Sequence, residues 1–390
     1  MKRAVILAAG EGNRLRPITS SKPKPMIPIA GKPLLEHTIL GLRDAGIDHI
    51  IIIVGYKEEI IRNYFGNGLD KYKIKIEYIT QEKYLGTAHA TNLVKDINDK
   101  EPFLLLYGDL LVDSLVFKEV IKKYKSVNCQ GLISLLAVNN PQDYGIVTLN
   151  ANGFMEEIIE KPSPDLNLGN LANAGIYIFD PIIFEAILRT KKSIRNEYEF
   201  TDSMKILKRD LKGKIVGYII KDLFWSDIGL PWQLLEANKY LLDKLDHKIF
   251  GNVDNNVEIS GNVFIGKGTV IKSGTYIQGP CYIGENSLIG PNAFIRKYTT
   301  IGNNCHVGMS ETKNSLIYSN TAIPHFNYIG DSIICESVNL GAGTKTSNLR
   351  FDNKSVKMTI KDKLIDSNRR KLGAIIGPNS QTGINASIMC

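Results

Sequence analysis

The chain has 390 residues, of which 43% are hydrophobic, and this length favours two domains over one core. It contains neither 18 consecutive apolar residues nor a charged-then-apolar leader at its start, so we expect a cytoplasmic protein without a membrane partner. The net charge of +8 arises from dispersed basic residues that alternate with acidic ones, a pattern that favours small phosphorylated ligands over nucleic acid.

The first predicted element is a strand that runs into a glycine-containing loop, with the sequence VILAAGEGNRLRPITSSKPKPMIPI at residues 5–29. The loop lacks the third glycine of a dinucleotide fingerprint and the Gly-Lys-Ser/Thr of a Walker loop. Its glycines would let backbone amides approach a phosphate, and Arg14 and Lys24 would neutralise a polyphosphate. The stretch therefore predicts a triphosphate cradle, with a flexible basic turn as the alternative.

Short β-rich runs alternate with amphipathic stretches from residue 1 to about residue 245. Residues 50–54 and 103–107 are nearly pure apolar, as expected for strands covered on both faces, whereas residues 33–45 and 231–245 carry helical spacing. This alternation predicts a Rossmann-like α/β domain over residues 1–245, built around a largely parallel sheet.

Two acidic residues stand next to predicted strands of this domain. Asp109 ends the segment Tyr-Gly-Asp after a buried-type strand, and Asp227 lies within Trp-Ser-Asp-Ile-Gly. Each carboxylate is either a loop cap or a ligand for a hard cation.

From about residue 250 the chain follows a six-residue period. Ile or Val occupies positions 259, 265, 271, 277, 283, 289, 295, 301 and 307, and small residues lie four positions after the aliphatics, at Thr269, Thr275, Cys281, Ser287, Ala293, Thr299 and Cys305. This hexapeptide repeat predicts an all-β left-handed parallel β-helix over residues 250–390. The chain stops at SIMC within the repeat, so we expect further coils or a neighbour to cover this end.

The repeat is interrupted after Gly308, and we expect residues 309–326 to form an irregular loop that leaves one corner of the β-helix. His325 would lie on this loop, where a histidine can accept a proton near neutral pH. An exposed histidine without a role is the alternative, but Tyr328, Asn339, Asn348 and Lys354 follow it.

The segment LAAGEGNRLRPITSSKPKPMIPI resembles the signature of sugar-1-phosphate nucleotidylyltransferases. The resemblance implies Mg²⁺-dependent transfer of a nucleotidyl group from UTP or dTTP to GlcNAc-1-P or Glc-1-P, with release of pyrophosphate. It implies that Arg14 and Lys24 are catalytic and that Asp109 and Asp227 hold the metal. The implied nucleotide contacts are Ala8, Ala9, Gly10, Gly12, Gln81, Gly86 and Thr87, and the implied sugar-phosphate contacts are Gly145, Glu160, Lys161, Asn173 and Arg195.

The residues around His325 resemble the acetyltransferase half of the bifunctional sugar-1-phosphate nucleotidylyltransferase/acetyltransferases, so this second resemblance covers nearly the whole chain. It implies that His325 deprotonates the amine of GlcN-1-P for N-acetylation by acetyl-CoA, which leads to UDP-GlcNAc. It also implies a homotrimer, a position for Gly341 to Gly343 near the thioester, and coenzyme A contacts in later coils that should begin about where this chain ends. The implied acceptor-binding residues are Arg296, Lys313, Tyr328, Asn339, Asn348 and Lys354.

Two other interpretations remain open at this point. The protein could carry out nucleotidyl transfer alone, with the β-helix as a trimerisation scaffold, or it could be a non-catalytic regulatory binding subunit. The choice between UTP and dTTP is open as well, because the bacterial bifunctional family has an asparagine at the position of Asp227.

Overall fold

A computed structural model describes residues 1–97, 101–166 and 168–390. Its internal contacts divide the chain into two compact units, one formed by Met1–Gly10 and Leu35–Asp227 and the other by Glu11–Leu34 and Ile228–Cys390. In the described part of the chain, no helix is long and apolar enough to cross a membrane. The domain boundary near residues 245–250 stays a prediction.

The strands of the first unit are β1 Arg3–Leu7, β2 His49–Val54, β3 Lys75–Thr80, β4 Phe103–Tyr107, β5 Leu110–Val112, β6 Gly131–Ala137, β7 Gly145–Leu149, β8 Met155–Glu160, β9 Leu171–Phe179, β10 Ile215–Ile219 and β11 Trp225–Asp227. They include a nine-stranded mixed sheet in the order β8-β7-β9-β4-β1-β2-β3, with β6 beside β9 and β10 beside β6. Of these, β5 and β11 form a separate two-stranded sheet.

The strands β4, β1, β2 and β3 run parallel to one another, so their carboxyl ends share one edge of the sheet. The residues of β2 from Ile50 to Val54 are fully buried, which explains their uninterrupted apolar sequence. Because β1 has β2 on one side and β4 on the other, the strand order reverses at β1, which makes β1 a topological switch point. Open α/β sheets bind ligands beyond the carboxyl ends of the strands at such a point.

The α-helices within the described residues are α1 Leu34–Asp44, α2 Glu58–Phe65, α3 Leu69–Tyr72, α4 Thr87–Asn92, α5 Ser114–Lys125, α6 Ile183–Leu188, α7 Phe200–Arg209 and α8 Pro231–Leu242. The helices α1 and α8 lie where the sequence predicts them. Pro231 is the first residue of α8, a position at which its missing N–H leaves no hydrogen bond unmade. The Gln233 side chain accepts from the backbone N–H of Gly229 and Leu230 and so caps this helix.

The second unit is dominated by parallel stacks of very short strands that coil around an aliphatic core. One sheet contains Lys248–Ile249, Val263–Ile265, Cys281–Ile283, Thr300–Ile301, Leu316–Ile317, Ile333–Ile334 and Ile375–Ile376. Another contains Asn252–Val253, Glu258–Ser260, Val270–Ile271, Tyr276–Gln278, Leu288–Ile289, Phe294–Ile295, His306–Lys313, Ala322–Gly330, Lys345–Thr346 and Ser387–Ile388. Two hairpins pair Pro28–Ile29 with Lys32–Pro33 and Lys357–Ile360 with Lys363–Asp366.

The predicted inward positions form this core. Ile265, Ile283 and Ile301 lie directly above one another in the first of these sheets and are fully buried. The predicted small residues occupy the corners, where Thr269 Oγ1 donates to the carbonyl of Gly284 at 2.6 Å and Ser287 Oγ donates to that of Gly302 at 3.1 Å. The corner hydroxyls therefore join successive coils, and the predicted fold class is confirmed as an α/β unit followed by a hexapeptide-repeat β-helix.

The prediction of an irregular loop over residues 309–326 is wrong. This segment contributes to the strands His306–Lys313, Leu316–Ile317 and Ala322–Gly330, with short connections between them, and continues the coils. The inward positions continue as Val307, Thr312 and Ile317, each of them fully buried, at a spacing of five residues instead of six. The repeat is hard to recognise in the sequence here, because the polar Thr312 takes an inward position and the spacing shortens from six residues to five. The coil is interrupted later, between Thr346 and Ile375, where the chain forms the hairpin at residues 357–366.

Candidate functional site

The loop after β1 begins at the edge of the sheet where the parallel strands end. Ala8 donates its backbone N–H to the carbonyl of Ile53 at 2.8 Å, and the carbonyl of Ala9 accepts from Tyr56 N–H at 3.1 Å. These bonds fix the start of the loop against the end of β2. A Cβ atom added at Gly10 would meet no other atom within 4 Å, so the backbone there faces open space. Ala8, Ala9 and Gly10 thus lie just beyond the carboxyl end of β1, and their contacts with a nucleotide stay a prediction.

The next predicted cradle residues, Gly12 and Lys24, are in contact within the second unit. Gly12 has φ +68°, and a Cβ atom added to it would lie 2.9 Å from Cβ of Lys24. Glycine is therefore required here both for backbone conformation and for space. Lys24 is buried at 8% exposure, whereas Arg14 is exposed on the short 3₁₀ turn Asn13–Leu15. The two predicted catalytic cations thus differ in their access to water.

Gln81, Gly86 and Thr87 form one cluster after β3. Gln81 is 6% exposed, and its Nε2 lies 3.4 Å from the carbonyl oxygen of Gly86 and 3.3 Å from Nδ1 of His89. Gly86 has φ +108°, and a Cβ atom there would lie 2.5 Å from the carbonyl oxygen of Tyr198. Gly86 also precedes α4, so its role as a helix N-cap and a role in base recognition are compatible.

The two predicted metal-binding carboxylates are brought together by the pairing of β5 with β11. Asp227 lies opposite Leu110, the residue that directly follows Asp109. Both aspartates are partly exposed. Among residues 1–97, 101–166 and 168–390, no group of three or more His, Cys, Asp or Glu side chains could hold a metal ion. Two carboxylates suit Mg²⁺, which commonly takes its other ligands from substrate phosphates and water.

The predicted sugar-binding side is centred on Glu160. Gly145 and Glu160 are paired residues of β7 and β8, and a Cβ atom added at Gly145 would lie 2.7 Å from Oε2 of Glu160. Burial raises the pKa of Glu160, and Glu199 adds to this effect, while Arg195 and Lys161 oppose it. Lys161 is exposed, with φ +47°, and its N–H donates to the carbonyl of Tyr144 at 2.9 Å.

Asn173 is held in place by both ends of its amide. Its Oδ1 accepts from Gly175 N–H at 3.1 Å, and its Nδ2 donates to the Tyr177 hydroxyl at 2.8 Å, which in turn lies 3.2 Å from the Tyr107 hydroxyl. Burial raises the pKa of Tyr107 to about 12, so both phenols remain neutral hydrogen-bonding groups. Trp225 Nε1 donates to the carbonyl of Ala174 at 2.8 Å and thereby ties the metal-side strand β11 to β9.

Glu199 is a site residue that the sequence reasoning missed. It accepts from both Nε and Nη2 of Arg195, at 3.0 and 2.5 Å, while Arg195 Nη2 lies 3.7 Å from Oε1 of Glu160. Although burial raises the pKa of Glu199, Arg195 and neighbouring donors lower it below its ordinary value. The sequence did offer one signal for this pair, because Arg195 and Glu199 are four residues apart just before α7.

The segment that carries Arg195 is attached to the cluster after β3. Tyr198 N–H donates to the carbonyl of Leu85 at 2.8 Å, and the carbonyl of Tyr198 accepts from Ala88 N–H at 2.9 Å. Phe200 N–H donates to Oγ1 of Thr87 at 3.0 Å. The predicted base-binding and sugar-phosphate-binding segments are therefore parts of one hydrogen-bonded structure.

In the β-helix, three predicted acceptor-binding residues meet around an acid that the sequence reasoning also missed. Asp331 is 3% exposed, and its Oδ2 accepts from Asn348 Nδ2 at 2.6 Å and lies 3.3 Å from Lys313 Nζ. Asn348 Nδ2 also lies 3.3 Å from the Tyr328 hydroxyl. Asn314 donates to the other carboxylate oxygen, Oδ1, at 2.7 Å. These residues are about one coil apart in sequence, which was the signal for their contact.

A cavity of about 500 Å³ opens beside this cluster, and its lining carries more positive than negative charges. Arg296, at the predicted acceptor site, lines it together with Lys313 and Asp331. Arg296 also pairs with Glu311 at 2.7 Å, and its guanidinium lies 5.5 Å from the ring centre of Phe294. The charged lining residues are Glu236, Lys239, Arg296, Lys297, Lys313, Asp331 and Arg369. The excess of cations suits an anionic ligand.

The remaining predicted acceptor-site residues do not join this cluster through the side-chain hydrogen bonds of the described residues. His325 is exposed, but it lies in the strand Ala322–Gly330 opposite Met309 and not on a loop. The strand pairing shifts register directly after it, where Phe326 has φ +53°. Asn339 is exposed on a neighbouring coil, and Lys354 is exposed within the interruption before the hairpin.

Comparison with known proteins agrees with this arrangement. The nucleotidyl transferase family model matches residues 3–244, and the bacterial transferase hexapeptide (six repeats) model matches residues 262–297 and 280–310. The chain is 48% identical to the bifunctional protein GlmU of Methanocaldococcus jannaschii, over 99% of this chain and 90% of that protein. It is 42% identical to the bifunctional sugar-1-phosphate nucleotidylyltransferase/acetyltransferase of Sulfurisphaera tokodaii, over 99% of this chain and 92% of that one.

Among solved structures, a UDP-glucose pyrophosphorylase complexed with UDP-glucose is similar to the first part of the chain. It has 26% sequence identity and a TM-score of 0.56, and the match covers 63% of this chain and 99% of that one. Together with these full-length relatives, the nucleotidyl transferase and hexapeptide matches place the chain in the class of bifunctional transferases. The chain belongs to the family of bifunctional sugar-1-phosphate nucleotidylyltransferase/acetyltransferases. The predicted family and enzyme class are thus confirmed.

Proposed function

We propose that the first activity is Mg²⁺-dependent transfer of a nucleotidyl group from UTP or dTTP to a sugar 1-phosphate, with release of pyrophosphate. The observation that carries this proposal is the pairing of β5 with β11, which sets Asp227 beside the Asp109 segment. Asp109 itself follows β4, whose carboxyl end lies at the same sheet edge as the loop after β1. Carboxylates and a glycine loop at one edge suit a metal-bound nucleoside triphosphate.

In this proposal, each group of residues has a defined task. Arg14 and Lys24 neutralise the triphosphate, and the amides around Gly10 and Gly12 approach it. Glu160 and Asn173 orient the sugar hydroxyls, while Lys161 and Arg195 bind the sugar phosphate. An oxygen of that phosphate attacks the α-phosphorus in line, and pyrophosphate leaves on the opposite side. Mg²⁺ held by Asp109 and Asp227 supplies neutralisation of phosphate charge when it is bound.

Pyrophosphate release tests this activity. The assay combines the chain with Mg²⁺, UTP or dTTP, and GlcNAc-1-P or Glc-1-P, and compares the wild type with Asp109→Asn and Asp227→Asn. We expect each substitution to lower turnover on the order of 10²-fold or more, because charge neutralisation at the phosphates is lost. Asp210→Asn, at an exposed aspartate of the same unit, is the matched control. Normal turnover in both site variants would refute the assignment.

We further propose that the second activity is acetyl-CoA-dependent N-acetylation of an amino-sugar 1-phosphate such as GlcN-1-P, so that the two reactions together yield UDP-GlcNAc. The cluster of Lys313, Tyr328 and Asn348 around Asp331, with the basic cavity beside it, supports an anionic sugar ligand. His325 lies on the same strand as Tyr328 and is exposed, so it can accept the proton of the attacking amine.

Thiol release from acetyl-CoA in the presence of GlcN-1-P tests the second activity. We expect His325→Ala to lose most of the release, whereas His306→Ala, on the neighbouring strand of the same β-helix, retains it. Undiminished release by His325→Ala would remove the histidine from the mechanism. If pyrophosphate release is normal and wild-type thiol release is absent, the result favours nucleotidyl transfer alone for this chain.

A further inference from the structure

The segment that carries Arg14 and Lys24 belongs to the same compact unit as the β-helix. Contacts assign Glu11–Leu34 to the unit that contains Ile228–Cys390, although this segment directly follows the first strand of the sheet. Its conformation is therefore determined in part by residues that come more than two hundred positions later in the chain.

A charged cluster around Glu336 contacts this segment. Lys22 Nζ lies 2.8 Å from Oε2 of Glu336, and the side chains are only 15% and 20% exposed. The hydroxyl of Ser21 donates to the other carboxylate oxygen of Glu336. Lys22 Nζ also lies 4.9 Å from the ring centre of Tyr318, which is buried. The Lys22 ammonium is thus enclosed between a carboxylate and an aromatic face.

The environment of Glu336 shifts the pKa of its carboxyl group. Burial raises the pKa of Glu336, but Lys22 and Ser21 outweigh burial, and the net shift is downward. The carboxylate is therefore charged at neutral pH and matches the Lys22 cation.

Contacts on either side of Lys22 also hold the segment. A Cβ atom added at Gly377 would lie 3.0 Å from Cβ of Pro17, and one added at Gly31 would lie 2.1 Å from Cζ of Tyr282. The backbone N–H of Ala30 donates to Oδ1 of Asn238 at 3.1 Å. The segment is thus fixed at residue 17, at residues 21–22 and at residues 30–31.

Asn238 connects the last of these contacts to the coils. It is fully buried on α8, and its Nδ2 donates to the carbonyl of Tyr298 at 2.9 Å. Thr300 Oγ1 donates to its Oδ1 at 2.7 Å. The same amide oxygen thus serves both the loop segment and the β-helix.

We propose that the β-helix positions the triphosphate-binding segment for nucleotidyl transfer and that Glu336 is the positioning residue at its centre. Lys22 lies two residues before Lys24, so the Glu336 contact holds the backbone from which Lys24 extends. The inference rests on the proposed nucleotidyl transfer by Arg14 and Lys24, which it extends to a residue outside that loop. Glu336 does not touch substrate in this view and acts through Lys22 and Ser21.

The contact between Glu336 and Lys22 is sensitive to charge. Neutralising Glu336 alone leaves a mostly buried ammonium group without its counter-charge, so Lys22 must turn toward water and draw the segment with it. Neutralising both Glu336 and Lys22 leaves no buried charge without its partner. The two single substitutions should therefore be non-additive, and the double variant should be less impaired than Glu336→Gln.

The experiment compares the wild type with Glu336→Gln, Lys22→Met and the double variant, each assayed for pyrophosphate release and for thiol release. We expect Glu336→Gln to lower kcat/KM for nucleotidyl transfer by about tenfold or more, because small displacements of positioned groups cost much of their catalytic effect. Acetyl transfer should remain within about twofold. Glu285→Gln, at an exposed glutamate of the same β-helix, is the matched control.

Hydrogen exchange of peptides that cover residues 11–34 provides a readout that needs no substrate. We expect faster exchange there in Glu336→Gln, and wild-type exchange in Glu285→Gln. Unchanged nucleotidyl transfer with unchanged exchange would overturn the proposal, as would an equal fall of both activities together with the melting temperature. A wild type that releases no pyrophosphate would refute the proposed nucleotidyl transfer, whereas the exchange result would still decide whether Glu336 holds the segment.

Discussion

Asp331 is almost fully buried in the β-helix, and a carboxylate in such a place is destabilising unless cations and hydrogen-bond donors surround it. Lys313, Asn314 and Asn348 meet that requirement. The same contacts aim the Lys313 and Asn348 side chains, which the family resemblance assigns to the sugar phosphate. We therefore expect Asp331 to act on the proposed acceptor site through Lys313 and Asn348.

We predict that Asp331→Asn lowers kcat/KM for the amino-sugar 1-phosphate in acetyl transfer by about tenfold. The lost charge-assisted contacts are each worth about 1.5–3 kcal/mol, and part of that orients Lys313 and Asn348. Thiol release measured against acceptor concentration checks this, with pyrophosphate release expected to stay unchanged. Asp246→Asn, at an exposed acid of the same unit, serves as the control. An unchanged acceptor dependence would show that Asp331 is only structural.

Glu336 gives a prediction about stability and pH. Its folded pKa lies below the ordinary value of 4.5, because Lys22 and Ser21 outweigh the effect of burial. The stability that it contributes is therefore present above about pH 4.5 and is lost as the pH falls through the lower folded pKa. The melting-temperature difference between wild type and Glu336→Gln should shrink from about pH 6 to about pH 3. A constant difference over that range would contradict the ion-pair assignment.

At the scale of structural elements, the β-helix owes its stability to stacked aliphatic side chains. Ile301 is fully buried between Ile283 and Ile317 of the adjacent coils. We predict that Ile301→Ala lowers the free energy of unfolding by about 2–5 kcal/mol, as for other large-to-small changes in a packed core. Chemical denaturation checks this. Leu288→Ala, at a position that is 37% exposed, should cost much less, and equal costs would contradict the stacked-core account.

The sequence predicted these elements wherever one residue type repeats at a fixed spacing. The isoleucines up to position 301 and Val307 reveal their inward direction in this way, whereas Thr312 and the five-residue spacing after Val307 conceal the continuing coil. His325 was therefore assigned to a loop although it lies in a strand. Local spacing cannot reveal a change of period that only stacking on the previous coil makes visible.

In the candidate sites, the sequence likewise indicated individual residues but not the contacts between residues that are distant in the chain. The resemblance named Arg195, Lys313 and Asn348, because it compares residues one at a time. It did not give Glu199 or Asp331, the acids that hold these side chains, since those contacts depend on folded geometry. Likewise, only the pairing of β5 with β11 sets Asp227 beside the Asp109 segment.

The two proposed activities should differ in their dependence on assembly. Glu160, Asn173, Arg195 and the aspartate pair all lie in the first unit of one chain. In the β-helix, by contrast, His325, Asn339 and Lys354 make no side-chain hydrogen bond to the Asp331 cluster within the described residues. The family resemblance implies a homotrimer in which neighbouring subunits surround the acetyl site, and this homotrimer stays a prediction.

We predict that light scattering gives a mass about three times the 43.4 kDa of the chain. Dilution into the range where trimers dissociate should lower the specific activity of thiol release, because the acetyl site would lose its neighbouring subunits. Pyrophosphate release should fall less, since the residues proposed for nucleotidyl transfer, including Arg14 and Lys24 of the second unit, are all supplied by one chain. A stable monomer with full thiol release would contradict the trimer, and a parallel loss of both activities would show that nucleotidyl transfer also requires assembly.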